Sequence, residues 1–189
     1  MKKTAVLIYP QFCNFEIAPA LEMLALAQKP ITIFAKTLLP VRSEEGLLII
    51  PEKSIDTLCL EEYDSLLLPG AMDIREAIED DAILTFIRQF KGMPIGAISV
   101  APLLLLKAGL LEGKPFMAGV DPDDLIEEGF TRESLQQMKG WSDCIHSPVP
   151  EGYIQAGQIV TSVSFGFIPW TLAFGRMLDI HVPAGTFGC

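Results

Sequence analysis

Along this chain, short apolar runs alternate with stretches whose apolar residues recur at helical spacing. Residues 4–9 (TAVLIY) and 31–35 (ITIFA) read as buried strands. A helix is predicted between them over 16–28, with Ile17, Leu21 and Leu24 on one side. Pro19 is tolerated only in a first turn, which places that helix start between Asn14 and Ala18. Residues 46–51 give a third strand, within a hairpin opening near Val41. Residues 65–68 give a buried strand ending at Pro69-Gly70. A polar helix follows over 74–90, with a break near Asp80-Asp81. Then come a strand at 94–98, a helix at 102–108, a short strand at 115–118 and a helix at 121–128. Residues 153–162 read as a hairpin turning at Ala156-Gly157, and 168–178 as a last helix.

Strands alternating with helices predict one α/β domain over 1–189, built on a mostly parallel sheet with helices on both faces. Sites in such sheets lie at the carboxyl ends of strands. Gly70, Ser99 and the start of the first helix all fall at such ends. The first strand–helix junction (YPQFCNFE) has no glycine, and no G-x-x-x-x-G-K-S/T occurs, which excludes dinucleotide-binding and phosphate-loop classes.

Composition narrows the field. Half the residues are hydrophobic and a fifth are charged, which argues for a folded core. No window is apolar over the roughly 20 residues a membrane helix needs. The opening Met-Lys-Lys-Thr has the look of a signal peptide, but Pro10, Gln11, Asn14 and Glu16 follow a short apolar run, so a first strand is the better reading. The net charge of -10, without a basic cluster, argues against nucleic acid and anionic membranes as partners. Cys13, Cys59, Cys144 and Cys189 are scattered without zinc spacing and fit reduced thiols in a cytoplasmic protein. His146 and His181 are too isolated for a metal site, so no metal and no cofactor is expected.

The richest segment is Met93-Pro94-Ile95-Gly96-Ala97-Ile98-Ser99-Val100-Ala101-Pro102, a buried strand turning sharply into a helix. Small residues at Ala97 and Ala101 suit a strand–nucleophile–helix elbow around Ser99. The other reading is that Ser99 caps the helix through its hydroxyl. Glu16 likewise has two readings, a site carboxylate or an acid that stabilises the first helical turn.

The stretches AVLIYPQFCNFEIAPALEML, YDSLLLPGA, PIGAISVAPLLLLKAGLLEGK and GQIVTS, in that order and spacing, resemble the ThiJ/PfpI family of the class I glutamine amidotransferase-like superfamily. The resemblance covers nearly the whole chain. It implies a flavodoxin-like three-layer α/β sandwich, commonly dimeric, with a reactive cysteine at the elbow and a glutamate beside it. Position by position, it places Glu16 as the glutamate and Ser99 as the elbow residue. The oxyanion donors would be the backbone N–H groups of Gly70 or Ala71 and of Val100. This chain departs from the pattern at the nucleophile: serine stands where the family has cysteine. The places where members carry a histidine hold Val100 and Ala118 or Gly119.

A serine must pass its proton to a positioned base during attack, and Glu16 is the one recognisable partner. Ser99 is therefore expected to be a poor nucleophile. The expectation is a small-molecule-binding or pseudoenzyme homodimer. The alternative is a hydrolase or lyase acting on a small electrophilic carbon (carbonyl, amide, nitrile or isonitrile), with Glu16 as acid/base and water as nucleophile. Cys13, on the loop before Glu16, has two readings, a displaced thiol bordering the same cleft or a semi-buried small residue. Trp141 to His146 is expected to be an irregular segment or edge strand. Asp121, Asp123 and Asp124 are read as a helix start, and the apolar tail from Asp179 is expected to pack on the body or across a dimer contact.

Overall fold

The computed structural model describes residues 1–183 and 185–188. In chain order the elements are β1 (Lys3–Leu7), α1 (Asn14–Leu26), β2 (Ile31–Ala35), β3 (Val41–Arg42), β4 (Leu48–Ile49), β5 (Lys53–Ser54) and β6 (Tyr63–Leu68). Then follow α2 (Arg75–Ile78), α3 (Asp81–Arg88), β7 (Ile95–Ile98), α4 (Pro102–Lys107), β8 (Phe116–Met117), α5 (Pro122–Glu127) and β9 (Met138–Lys139). The chain continues through α6 (Trp141–His146), β10 (Ile154–Ala156), β11 (Ile159–Ser162) and α7 (Phe167–Met177).

Seven strands form one sheet in the order β10-β11-β7-β6-β1-β2-β5, parallel throughout except for the antiparallel β10–β11 hairpin. The apolar runs explain its centre: β7 and the last four residues of β6 are wholly buried, as strands covered on both faces must be. Helix α7 packs over β7 and β11 and against α1, while α2, α3 and α4 form a second packed group. This is the mostly parallel sheet with helices on both faces expected from the order of elements, and the flavodoxin-like three-layer sandwich that the resemblance implies.

One glycine is needed for that layering. A Cβ on Gly96 would lie 3.0 Å from Phe174 and 3.1 Å from Trp170, so its absence lets the aromatic face of α7 settle on the sheet. The fully buried Trp170 donates its indole N–H to the Val160 carbonyl at 3.1 Å, which removes the penalty of a buried unpaired donor.

The break in the polar helix is real. Asp80 caps α3, accepting from the Ala82 and Ile83 N–H groups at 3.0 and 3.4 Å, and its own extended backbone separates α2 from α3. Other expectations are corrected. Pro19 lies beyond the first turn of α1, since the helix starts at Asn14; the missing proline N–H leaves the Phe15 carbonyl without its helical donor. The hairpin of residues 41–50 stands apart from the main sheet as β3–β4, and β8 pairs with β9 in a separate two-stranded ladder. Trp141–His146 is a helix, not an irregular segment or edge strand: Cys144 is its one buried residue and packs with Met117 and Val163. In the tail, Ile180, Val182 and Phe187 pack against the core, while Ala184 and Cys189 lie outside the described residues.

Candidate active site at the Ser99 elbow

Ser99 follows β7 directly and adopts φ +59°, in the left-handed region that a side-chain-bearing residue rarely enters. Its backbone is held on two sides. The Ser99 N–H donates to the Ser162 carbonyl at the end of β11 (2.8 Å), and its carbonyl accepts from the Gly119 N–H (2.8 Å). The residue that caps α4 is Ala101, with Pro102 opening the helix, so the capping reading of Ser99 is set aside. The structure has the strained strand-to-helix turn that an elbow requires.

Two glycines make room around the hydroxyl. A Cβ on Gly70 would stand 2.6 Å from Ser99 Cβ and 2.9 Å from Ser99 Oγ. One on Gly119 would stand 3.0 Å from Ser99 Oγ. Gly119 therefore sits where the resemblance places a histidine in some members, and it supplies no base.

Glu16 comes from the third residue of α1 and is buried, at 2% exposure. Its Oε2 accepts the Gly70 N–H at 2.9 Å and would lie 2.4 Å from the same imagined Gly70 Cβ. The carboxylate and the Ser99 hydroxyl thus press on one point of backbone, at the carboxyl ends of β6 and β7. Burial pushes the Glu16 carboxyl up to about 7; the Gly70 N–H and the Ser99 hydroxyl oppose that rise, and the negative charge of Glu44 adds to it. A carboxyl poised there exchanges a proton near neutrality.

The donor set also changes. The Gly70 N–H is engaged by Glu16 and is not free for an oxyanion, so that part of the expectation is corrected. Among the described residues, the N–H groups of Ala71 and Val100 donate to no other group, which leaves them as the candidate pair.

Cys13 is buried, at 3% exposure, in line with its reading as a small packed residue. Its buried thiol reaches Glu44 Oε1 at 3.1 Å. Burial and the neighbouring carboxylates of Glu44 and Glu16 hold it far above the ordinary thiol range, so it is no thiolate. Glu44 and Glu45 escaped the sequence reading, because the β3–β4 turn brings them back beside α1. The Glu45 carboxylate accepts the Phe15 N–H at 2.9 Å, and the Glu44 N–H donates to the Phe12 carbonyl at 3.0 Å. Cys13, Glu44 and Glu45 each offer a ligand atom within 4.8 Å of the others, the one cluster of that kind among the described residues.

The remaining candidates stay outside the elbow. Asp121 precedes α5 and accepts the Ser142 hydroxyl at 2.5 Å and the Ser142 N–H at 2.8 Å, which together depress its carboxyl. His146 ends α6 and is exposed.

The strained backbone gives a stability test. A left-handed conformation costs an L-residue roughly 1–2 kcal/mol, while glycine's greater unfolded freedom offsets roughly 0.5–1 kcal/mol of any relief. Ser99→Gly should therefore be more stable than Ser99→Ala by about 1 kcal/mol in urea unfolding. A less stable Ser99→Gly would show that the turn carries no strain.

Comparison with known proteins bears on the family and the fold. The DJ-1/PfpI family model matches residues 2–170. The chain is 35% identical over 121 residues to Protein/nucleic acid deglycase 2 of Escherichia coli K12, a match covering 62% of this chain and 70% of that protein. Its fold is similar to that of a DJ-1 superfamily protein from Agrobacterium tumefaciens, with TM-score 0.79 and 17% identity over 97% of this chain and 93% of the other. It is also similar to part of a two-domain protein with DJ-1/ThiJ/PfpI-like and ferritin-like domains from Anabaena variabilis. There the TM-score is 0.77 at 18% identity, over 95% of this chain but only 48% of the other, so the chain spans about half of that protein. With the family model matching most of its length, the chain belongs to the DJ-1/PfpI family.

Proposed function

We propose that this chain is a small-molecule-binding DJ-1/PfpI domain whose elbow has lost thiol chemistry. The observation that carries the reading is Ser99 itself, a residue at φ +59° beside the buried Glu16 carboxyl, with no imidazole at Val100, Ala118 or Gly119. The half-exposed Ser99, with the unengaged N–H groups of Ala71 and Val100, supports a ligand whose polar atom points toward the elbow. The nearby thiol of Cys13 does not stand in for a cysteine at position 99, because carboxylates surround it.

A second reading is favoured by one observation, the Glu16 carboxyl at about 7. In that reading Glu16 takes a proton from water, and the water attacks a small electrophilic carbon while the Ala71 and Val100 N–H groups hold the developing negative oxygen.

One assay separates the two. Consumption of a 1,2-dicarbonyl such as methylglyoxal is followed for the chain and for Ser99→Ala. The binding reading expects both at the protein-free background. Turnover that Ser99→Ala leaves intact supports water and Glu16, and turnover that it abolishes overturns both readings by making the hydroxyl a working nucleophile.

As partner we propose a second copy of the chain. Leu38, Leu39, Leu47, Leu48 and Ile50 expose apolar surface around the β3–β4 hairpin, the kind of patch that supports a protein contact. Among the described residues no helix is long and apolar enough to cross a membrane. The free thiols of Cys13, Cys59 and Cys144 are in keeping with the reducing cytoplasm as its location.

A further inference from the structure

Tyr9 is a buried titratable group beside the elbow that neither reading of the function uses. It lies just past the end of β1, is 2% exposed, and donates its hydroxyl to the Pro69 carbonyl. Among the described residues no other donor reaches that carbonyl. The next N–H along the chain, that of Gly70, donates to Glu16 Oε2 at 2.9 Å. Both groups belong to one peptide unit. The unit is planar, with its carbonyl and N–H on opposite sides, so whatever fixes one end aims the other.

Backbone bonds hold this loop only from the Gly70 carbonyl onward. The Cys13 N–H donates to that carbonyl at 2.8 Å and the Met72 N–H to the Gln11 carbonyl at 3.1 Å, on either side of the antiparallel Phe12–Ala71 bridge. These bonds fix the Gly70–Ala71 peptide. The Pro69–Gly70 peptide is left to turn about the bonds at its two ends, the more easily because residue 70 has no Cβ. A turned peptide would present a carbonyl oxygen to the Glu16 carboxylate in place of a donor. Glu16 opposes the turn, but its grip weakens whenever it takes up a proton. The phenol does not share that weakness. Burial, and then the charge of Glu16, keep it protonated well above its ordinary range, so it donates throughout the range in which Glu16 titrates.

We infer that Tyr9 is a positioning residue for the Glu16–Ser99 site: its hydroxyl, through the Pro69 carbonyl, keeps the Gly70 N–H aimed at Glu16 Oε2. The inference rests on the reading of Glu16 and Ser99 as the functional site. A phenol donating to the carbonyl also draws electron density from the amide nitrogen and strengthens its N–H as a donor. Burial raises the Glu16 carboxyl, and the Gly70 N–H is the first of the groups that oppose the rise. Tyr9 therefore governs how much of that opposition Glu16 feels. The other ionisable groups acting on Glu16 are Glu44 and Cys13, and the thiol keeps its proton across the same range.

The test is a pH titration of the full chain by NMR, following the Glu16 carboxyl carbon and the Gly70 amide proton together. In the parent the amide proton should move downfield with the same midpoint as the carboxyl, about 7. Tyr9→Phe should raise that midpoint by about 0.5–1 unit, since complete loss of a hydrogen bond to a charged acceptor is worth about one to two units. The amide proton should lose about half its titration amplitude or more. The control is Tyr63→Phe, the same change at a fully buried tyrosine whose hydroxyl has no partner among the described residues; it should leave both signals unchanged. A ring-fluorinated tyrosine at position 9 is a more acidic, stronger donor of nearly the same shape, and it carries the test if Tyr9→Phe does not fold. It should lower the Glu16 midpoint. A midpoint that Tyr9→Phe leaves unmoved, an equal rise in Tyr63→Phe, or a midpoint that the fluorinated residue fails to lower would overturn the inference. The amide proton separates this failure from that of the site reading. If it does not follow Glu16 even in the parent, the site geometry fails as well; if it follows equally in the parent and in Tyr9→Phe, only the role of Tyr9 fails.

Discussion

Ser99→Cys should consume a 1,2-dicarbonyl at least a hundredfold faster than the chain with serine. The gain follows from the atom alone. A thiol of reference pKa about 8.5 yields a useful thiolate fraction near neutrality, whereas an alcohol has none without a strong base. No imidazole stands nearby, but the backbone turn and the buried carboxyl are already placed. The backbone already holds φ +59° at position 99, so no rearrangement is needed to aim the new side chain. Glycines at 70 and 119 flank it, which gives the larger sulfur room where any Cβ would crowd it. The Glu16 carboxyl, poised at about 7, holds a proton for a large part of the time at neutral pH, so it can donate a hydrogen bond to a thiolate and pass the proton to the alkoxide that forms on attack. Adding Glu16→Gln to Ser99→Cys should remove most of the gain. A Ser99→Cys variant no faster than the parent would mean that the pocket does not admit or orient an electrophile.

Glu16→Gln should make the folded protein more stable above neutrality, and the benefit should vanish in mild acid. The sign follows from proton binding. The Glu16 carboxyl has a folded pKa of about 7 against an ordinary value of 4.5, so between those pH values the folded chain binds more protons than the unfolded one. Stability therefore falls as pH rises through that window. A shift of this size corresponds to about 3.5 kcal/mol at most, by roughly 1.4 kcal/mol per pKa unit. Glutamine keeps an oxygen for the Gly70 N–H and carries no charge to desolvate. In urea unfolding the variant should gain about 2–3 kcal/mol on the parent at pH 8.5, and the two should agree within about 0.5 kcal/mol at pH 4.5. An equal or larger gain at pH 4.5 would show that the effect is not ionisation.

Much of the scaffold was legible because buried parallel strands leave unbroken apolar runs. TAVLIY, SLLL and IGAI read as strands for the same reason that β1, β6 and β7 occupy the centre of the sheet. Weak pairing hides elements: Lys53–Ser54 joins the sheet edge through two residues beside β2, and no periodicity marks so short a strand. Trp141–His146 was misread because its six residues bury a single side chain, Cys144, so no stripe announces a helix. The site divides in the same way. Glu16 and Ser99 were named as candidates from the sequence, but spacing could not decide between cap and elbow; the quantity that distinguishes them is a backbone angle. Engagement of the Gly70 N–H by Glu16 was invisible, since a backbone donor has one partner among several within reach. Glu44 and Glu45 were missed because a surface turn rich in acids is ordinary in sequence, and only the return of the β3–β4 hairpin toward α1 gives them a place beside Cys13.

The central claim is that a buried carboxyl with a proton to exchange near neutrality stands against the Ser99 hydroxyl. A pH titration of the Glu16 side-chain carboxyl carbon by 13C NMR, assigned by its loss in Glu16→Gln, measures this directly. The account predicts a midpoint about 7, rising in Ser99→Ala as the hydroxyl that opposes the shift is removed. A midpoint near 4.5, unmoved by Ser99→Ala, would contradict it.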